Sequence, residues 1–129
     1  MLTDLQFLLI AVLSLIDTVV TYEWVRFVRA QKNYKNYPLK KLEANPIVRL
    51  CWNNFGMVKG SIASGILLFV IQASLASIDR IALGVILTIL VLAIVNHINN
   101  FNKFKERLKN EKKNNTKRKH RKNAKKGTA

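Results

Sequence analysis

The chain has a single cysteine, Cys51, so no internal disulfide can form and a disulfide scaffold is excluded. Five glycines and two prolines in 129 residues exclude a collagen-like chain. Acidic residues are scarce too: 7 Asp+Glu stand against 22 Lys+Arg, a net charge of +15. HExxH, GxSxG, a Walker-type glycine loop and paired cysteines are all missing. So is the repeated acidic motif with which membrane alcohol phosphotransferases hold two metals, since Asp17 is the one carboxylate expected inside the bundle core. The two histidines, His97 and His120, lie far apart, and His120 belongs to a basic run. Catalysis has no support in these residues, and no cofactor is expected.

What is present is hydrophobicity, half of all residues (50%), pooled in three blocks rather than spread at the short periods of a soluble core. Residues 5–25 make the first block, and at 1.5 Å per residue it is roughly 31 Å long, about the thickness of a bilayer's hydrocarbon core. No Lys or Arg precedes it and no small-x-small site follows it, so a retained span is expected rather than a cleaved leader. Residues 57–78 and 81–101 make the other two, separated only by Asp79-Arg80, which demands a tight antiparallel hairpin. The expected fold is all-α: an integral membrane bundle of three transmembrane helices over residues 1–102. A disordered basic tail over 103–129 completes it, unstructured beyond about Asn110 because almost nothing apolar follows Leu108.

Charge sets the expected orientation. Eight cations lie between Arg26 and Lys59 and 13 in the tail, against none ahead of the first block and only Arg80 in the hairpin. The positive-inside rule then places the N-terminus outside and the C-terminus in the cytoplasm of a multi-pass plasma-membrane protein. Trp24, Phe27, Tyr34 and Tyr37 are expected at interface depth, with Pro38 ending regular structure. Asn45-Pro46 reads as N-cap and first residue of a short interfacial helix over 47–55 that Gly56 closes, with Ile47, Leu50, Cys51 and Phe55 on its apolar face.

Polar residues inside apolar helices ask for partners. Ser14, Asp17, Thr18 and Thr21 form one stripe on the first helix, while Glu23 near its end is expected to snorkel or to pair with Arg26 or Arg29. Gly56, Gly60 and Ser64 give the second helix a small-residue packing surface. Counted from the cytoplasmic ends, Asp17 lies about 12 Å deep, Asn96 about 7 Å, Thr21 about 6 Å and Lys59 about 3 Å. These four, roofed by Glu43 and Asn45 from the loop, form the candidate ligand- or ion-binding set, and Asp17 is expected to pair with Lys59. The oxygen donors among them suit a hard cation, with Lys59 as counter-ion or obstacle.

The same residues carry a resemblance. Asp17-x3-Thr21, Glu43-x-Asn45-Pro46, Gly56-x2-Lys59 and a late Asn96 resemble a family of small archaeal and bacterial membrane proteins with three or four helices and a domain of unknown function. The likeness covers roughly residues 8–100. The long basic loop between Thr21 and Glu43 and the Lys-rich tail depart from it. It implies the fold and the same polar residues but no reaction.

Two functions fit. One is a membrane protein whose polar cluster, open to the cytoplasm, binds or conducts an ion, small ligand or lipid head group. The other is a holin-like or structural protein that acts through homo-oligomerisation. The tail's expected partner is the anionic leaflet of the bilayer, with RNA as runner-up because no aromatic residue follows Phe104.

Overall fold

The computed structural model describes residues 2–127. Among them the order is α1 (Asp4–Ala30), a 3-10 turn (Lys32–Tyr34), α2 (Leu39–Leu42), α3 (Pro46–Phe55), α4 (Met57–Ala76) and α5 (Arg80–Gly127), with no strand. Three of these, α1, α4 and α5, are long and apolar enough to cross a membrane. They suggest a membrane protein, and their exposed faces agree: Leu5, Leu15, Ile62, Ile66, Ile81 and Leu92 all point outward, a surface that water would not tolerate.

Local chemistry explains where each helix starts. Thr3 and Gln6 form a reciprocal capping box that opens α1. At α3 the Asn45 side chain accepts from the Ile47 N–H at 2.9 Å, and Pro46 occupies the first turn where no donor is missed. Gly56, at φ 76°, turns the chain from α3 directly into α4. Asp79 accepts from the Ala82 N–H at 2.7 Å and starts α5 one turn after α4 ends. Pro38 does not end regular structure; it stands just before α2, where its fixed φ suits a helix start.

The chain divides into two compact units, Met1–His97 and Ile98–Ala129. In the first, α1 and α4 run antiparallel. Ser14 donates to Gln72 at 2.6 Å, Gly65 takes Thr18 against its backbone, and Phe7 meets Phe69 edge to face. Ile10, Ala76, Leu83, Ile86 and Leu90 make the core at the end of the bundle remote from α3. At the other end Trp24 is buried, its indole N–H donating to the Leu42 carbonyl at 3.3 Å. That bond ties α2 to the end of α1.

Helix α3 packs most closely on α4 and turns to it a different face from the expected apolar one, sharing Cys51 with it. Val48, Cys51 and Trp52 are buried, while Leu50 and Phe55 are exposed. Trp52 decides the rotation, since its N–H donates to Ser61 at 2.8 Å inside the contact.

The second unit is helical throughout residues 98–127, where disorder is expected from about Asn110. Residues 98–126 contain neither Pro nor Gly, and Lys, Arg and Glu lose little rotamer freedom in a helix. Composition tells whether a segment can build a core, which this one cannot; it does not forbid a single helix whose backbone bonds are all local.

Candidate functional site

A cavity of about 590 Å³ lies within the first unit between α1, α4, α5 and the segment ahead of α3. Asp17, Thr21, Glu43, Asn45 and Asn96 line it together, and His97, Ser61 and Ser64 join them. Ala44, Ile47, Val48, Leu68 and Ala93 supply an apolar part of the wall. Lys59 is not on the wall; it is exposed on the first turn of α4.

The expected Asp17–Lys59 pair is therefore replaced. The residue that faces Asp17 is His97, whose Nε2 lies 3.7 Å from Asp17 Oδ1. That is ion-pair range but too long for a hydrogen bond. Asp17 Oδ1 and His97 Nδ1 are both buried with no hydrogen-bond partner. With Nε2 turned toward the carboxylate, a neutral His97 presents Nδ1 as an acceptor, so two acceptors stand unsatisfied beside the cavity. Sequence reasoning missed His97 because it stands in a run of polar residues that reads as a fraying helix end. The available signal was spacing: Ala93, Asn96 and His97 share a helix face.

Glu43 is 4% exposed and sits at the entry to α3. One carboxylate oxygen accepts from the Asn45 N–H at 2.7 Å, and Arg49 donates to the Glu43 backbone carbonyl at 3.4 Å. The Glu-x-Asn-Pro element thus builds its own helix start: Glu43 holds the Asn45 amide, Asn45 caps Ile47, and Pro46 has no N–H to satisfy. Burial pushes the Glu43 carboxyl above its ordinary value of 4.5. The Asn45 hydrogen bond and His97 oppose that rise, Asp17 adds to it, and Arg49 opposes it weakly.

The three small residues expected to form one packing surface divide by role. Gly60 lets α3 approach, since a Cβ there would meet the Cys51 carbonyl oxygen at 2.6 Å. Ser64 is buried on the cavity wall. Gly56 touches nothing within 4 Å of where a Cβ would stand, and its glycine serves the turn. Glu23 pairs with Arg26 at 3.4 Å, both exposed.

Chemically the cavity offers two carboxylates, one imidazole, amides and hydroxyls, with no lysine or arginine on its wall. Among the described residues no three His, Cys, Asp or Glu side chains converge in a metal-binding group. No protein-family model matches the chain, and no curated protein or solved structure matches it either.

Proposed function

We propose that this is an integral membrane protein that binds a small polar ligand or ion in the cavity around Asp17. One observation carries the reading: two carboxylates and an imidazole line a single cavity between membrane-length helices, and two of their atoms lack partners. An acidic side chain in a spanning helix costs about 2.5–3.5 kcal/mol on insertion scales, and buried polar atoms are ordinarily satisfied. A ligand that supplies hydrogen-bond donors offsets both costs.

The rest of the reading follows charge. The N-terminus is outside, the C-terminus is cytoplasmic, and the cavity belongs to the cytoplasmic half of a plasma membrane, with α3 at the interface. The basic tail takes the anionic leaflet as partner. Kinship with the small prokaryotic membrane proteins that share the Glu-x-Asn-Pro pattern is part of the same proposal.

The test is thermal unfolding of the purified protein in phosphatidylcholine nanodiscs, titrated separately with sodium, magnesium and butylammonium chloride at constant ionic strength. A ligand of the native state raises Tm by mass action, about 2.7 kcal/mol of stabilisation at a hundred times Kd. At least one cation should give a saturable rise that Asp17→Asn and Thr21→Val diminish. No saturable rise with any of them overturns the reading. Rapid permeabilisation of the host on induced expression would favour a holin-like assembly instead.

A further inference from the structure

Beside the polar cavity lies a second concavity, of about 340 Å³, between α1 and α4 on the outward face of the bundle. Its walls are apolar, made chiefly by Leu15, Val19, Ile62 and Ile66, each with much of its side chain exposed. Thr18 and Ser61 line both hollows, so the two are neighbours that share those side chains as wall. We propose that the ligand is an amphiphilic primary amine, its ammonium group in the polar cavity and its hydrocarbon chain in this groove. The proposal rests on the cavity's being a binding site, and specifies its ligand class and the side from which it enters.

The head group follows from the donor count. Asp17 Oδ1 and, on a neutral His97, Nδ1 are unpartnered acceptors, Glu43 adds a second carboxylate, and the wall carries no lysine or arginine. An ammonium brings positive charge and three N–H donors to those acceptors. A trimethylammonium brings the charge but no donor, and a phosphate brings acceptors and the wrong sign.

The chain follows from the partition. Thr18 Oγ1 donates to the Ser14 carbonyl at 2.9 Å, and Ser61 Oγ donates to the Met57 carbonyl at 2.7 Å. Both hydroxyls are thus bonded to their own helices, and a hydrocarbon chain crossing between them strands no donor. The groove extends from Val58 to Ile66 along α4, about 12 Å at 1.5 Å per residue. In a bilayer the chain exchanges one apolar surrounding for another, so the groove adds little hydrophobic gain. Its part is positional: the tail stays on the lipid side while the head turns inward, and selectivity rests on the ammonium.

The experiment uses the full chain in phosphatidylcholine nanodiscs and a dodecylamine carrying a diazirine midway along its chain, with the matching trimethylammonium and alcohol as controls. Irradiation followed by peptide mass spectrometry should place the amine's label on Leu15, Val19, Ile62 or Ile66. The two controls should label those positions at least about tenfold less, as should the amine with Asp17→Asn, a factor equivalent to 1.4 kcal/mol. Thr21→Val should weaken labelling in the same direction and guards against an Asp17 variant that fails to fold. Labelling spread evenly over the outward faces of α1, α4 and α5, or equal for all three heads, overturns the proposal. If sodium, magnesium or butylammonium still raises Tm through Asp17 while the groove stays unlabelled, the amphiphile is wrong and the cavity stands. If nothing raises Tm and nothing labels, both fall.

Discussion

Glu43 has two duties that pull its protonation in opposite directions. As an acceptor for the Asn45 amide it favours the carboxylate, while its burial favours the neutral acid, and burial is the larger effect. A carboxyl held above 4.5 in the fold keeps its proton longer than the unfolded chain does. Its contribution to stability is then fully present below 4.5 and is lost as pH rises through the raised folded value. Tm in detergent should fall over that window, and Glu43→Gln, which keeps an oxygen for the Asn45 amide, should flatten the fall. An unchanged slope in the variant would remove Glu43 from the explanation. Asp17 makes a second case in which the partner matters more than the residue. Lys59 is exposed and off the cavity wall, so Asp17→Asn and Lys59→Met should be additive within about 0.5 kcal/mol. Asp17→Asn and His97→Gln share a contact and should couple by about 0.5–3 kcal/mol in a double-mutant cycle.

At the scale of elements, close approach is set by backbone in one place and by a side chain in another. A Cβ on Gly60 would strike the Cys51 carbonyl oxygen at 2.6 Å and the Trp52 Cα at 2.8 Å, and neither can yield without moving α3. A Cβ on Gly65 would meet the end of Thr18, Oγ1 at 2.9 Å, which can rotate. Gly60→Ala should therefore cost about 1–3 kcal/mol of stability and Gly65→Ala clearly less. The comparison is read from Tm in a common detergent, and equal losses would contradict the difference in what each methyl meets. The same contrast explains what the sequence made legible. Apolar run length marks α1, α4 and α5, and Asn45-Pro46 with Gly56 marks both ends of α3, because caps and spans are local signals. The rotation of α3 was not local: it is fixed by Trp52 reaching Ser61 nine residues on. Gln72 escaped notice for a related reason, since its meaning comes from Ser14 on another helix. Of the five candidates on the cavity wall, Asp17, Thr21 and Asn96 were legible because a polar side chain in an apolar run is costly wherever it points, and Glu43 and Asn45 because they belong to the loop and cap that open α3. Lys59 and His97 were exchanged because Lys59 stands at the start of α4 and His97 in a polar run that reads as a helix end, where cost no longer tells inward from outward.

For the molecule as a whole, the open question of charge lies in the second unit, a helix that its own side chains oppose. Lys105, Lys109, Lys113 and Lys117 follow one another at i, i+4, as do Arg118 and Lys122, and each like pair weakens an isolated helix by about 0.2–0.5 kcal/mol. Only Glu106 and Glu111 offset them. Little tertiary packing compensates, since residues 109–124 are all exposed. Such a helix forms best where its charge is neutralised. Amides of residues 109–127 should exchange hydrogen faster in phosphatidylcholine nanodiscs at low salt than in nanodiscs containing anionic phosphatidylglycerol. Added salt should slow exchange in the neutral bilayer by screening the repulsion, with a Debye length of about 10 Å at 0.1 M. In the anionic bilayer salt should instead release the segment from the surface, where each basic residue contributes about 1 kcal/mol, so the two salt dependences should have opposite sign. Matching salt dependences in both bilayers would separate the helix from the membrane surface, and protection by RNA at physiological salt exceeding that by phosphatidylglycerol would assign its charge to nucleic acid.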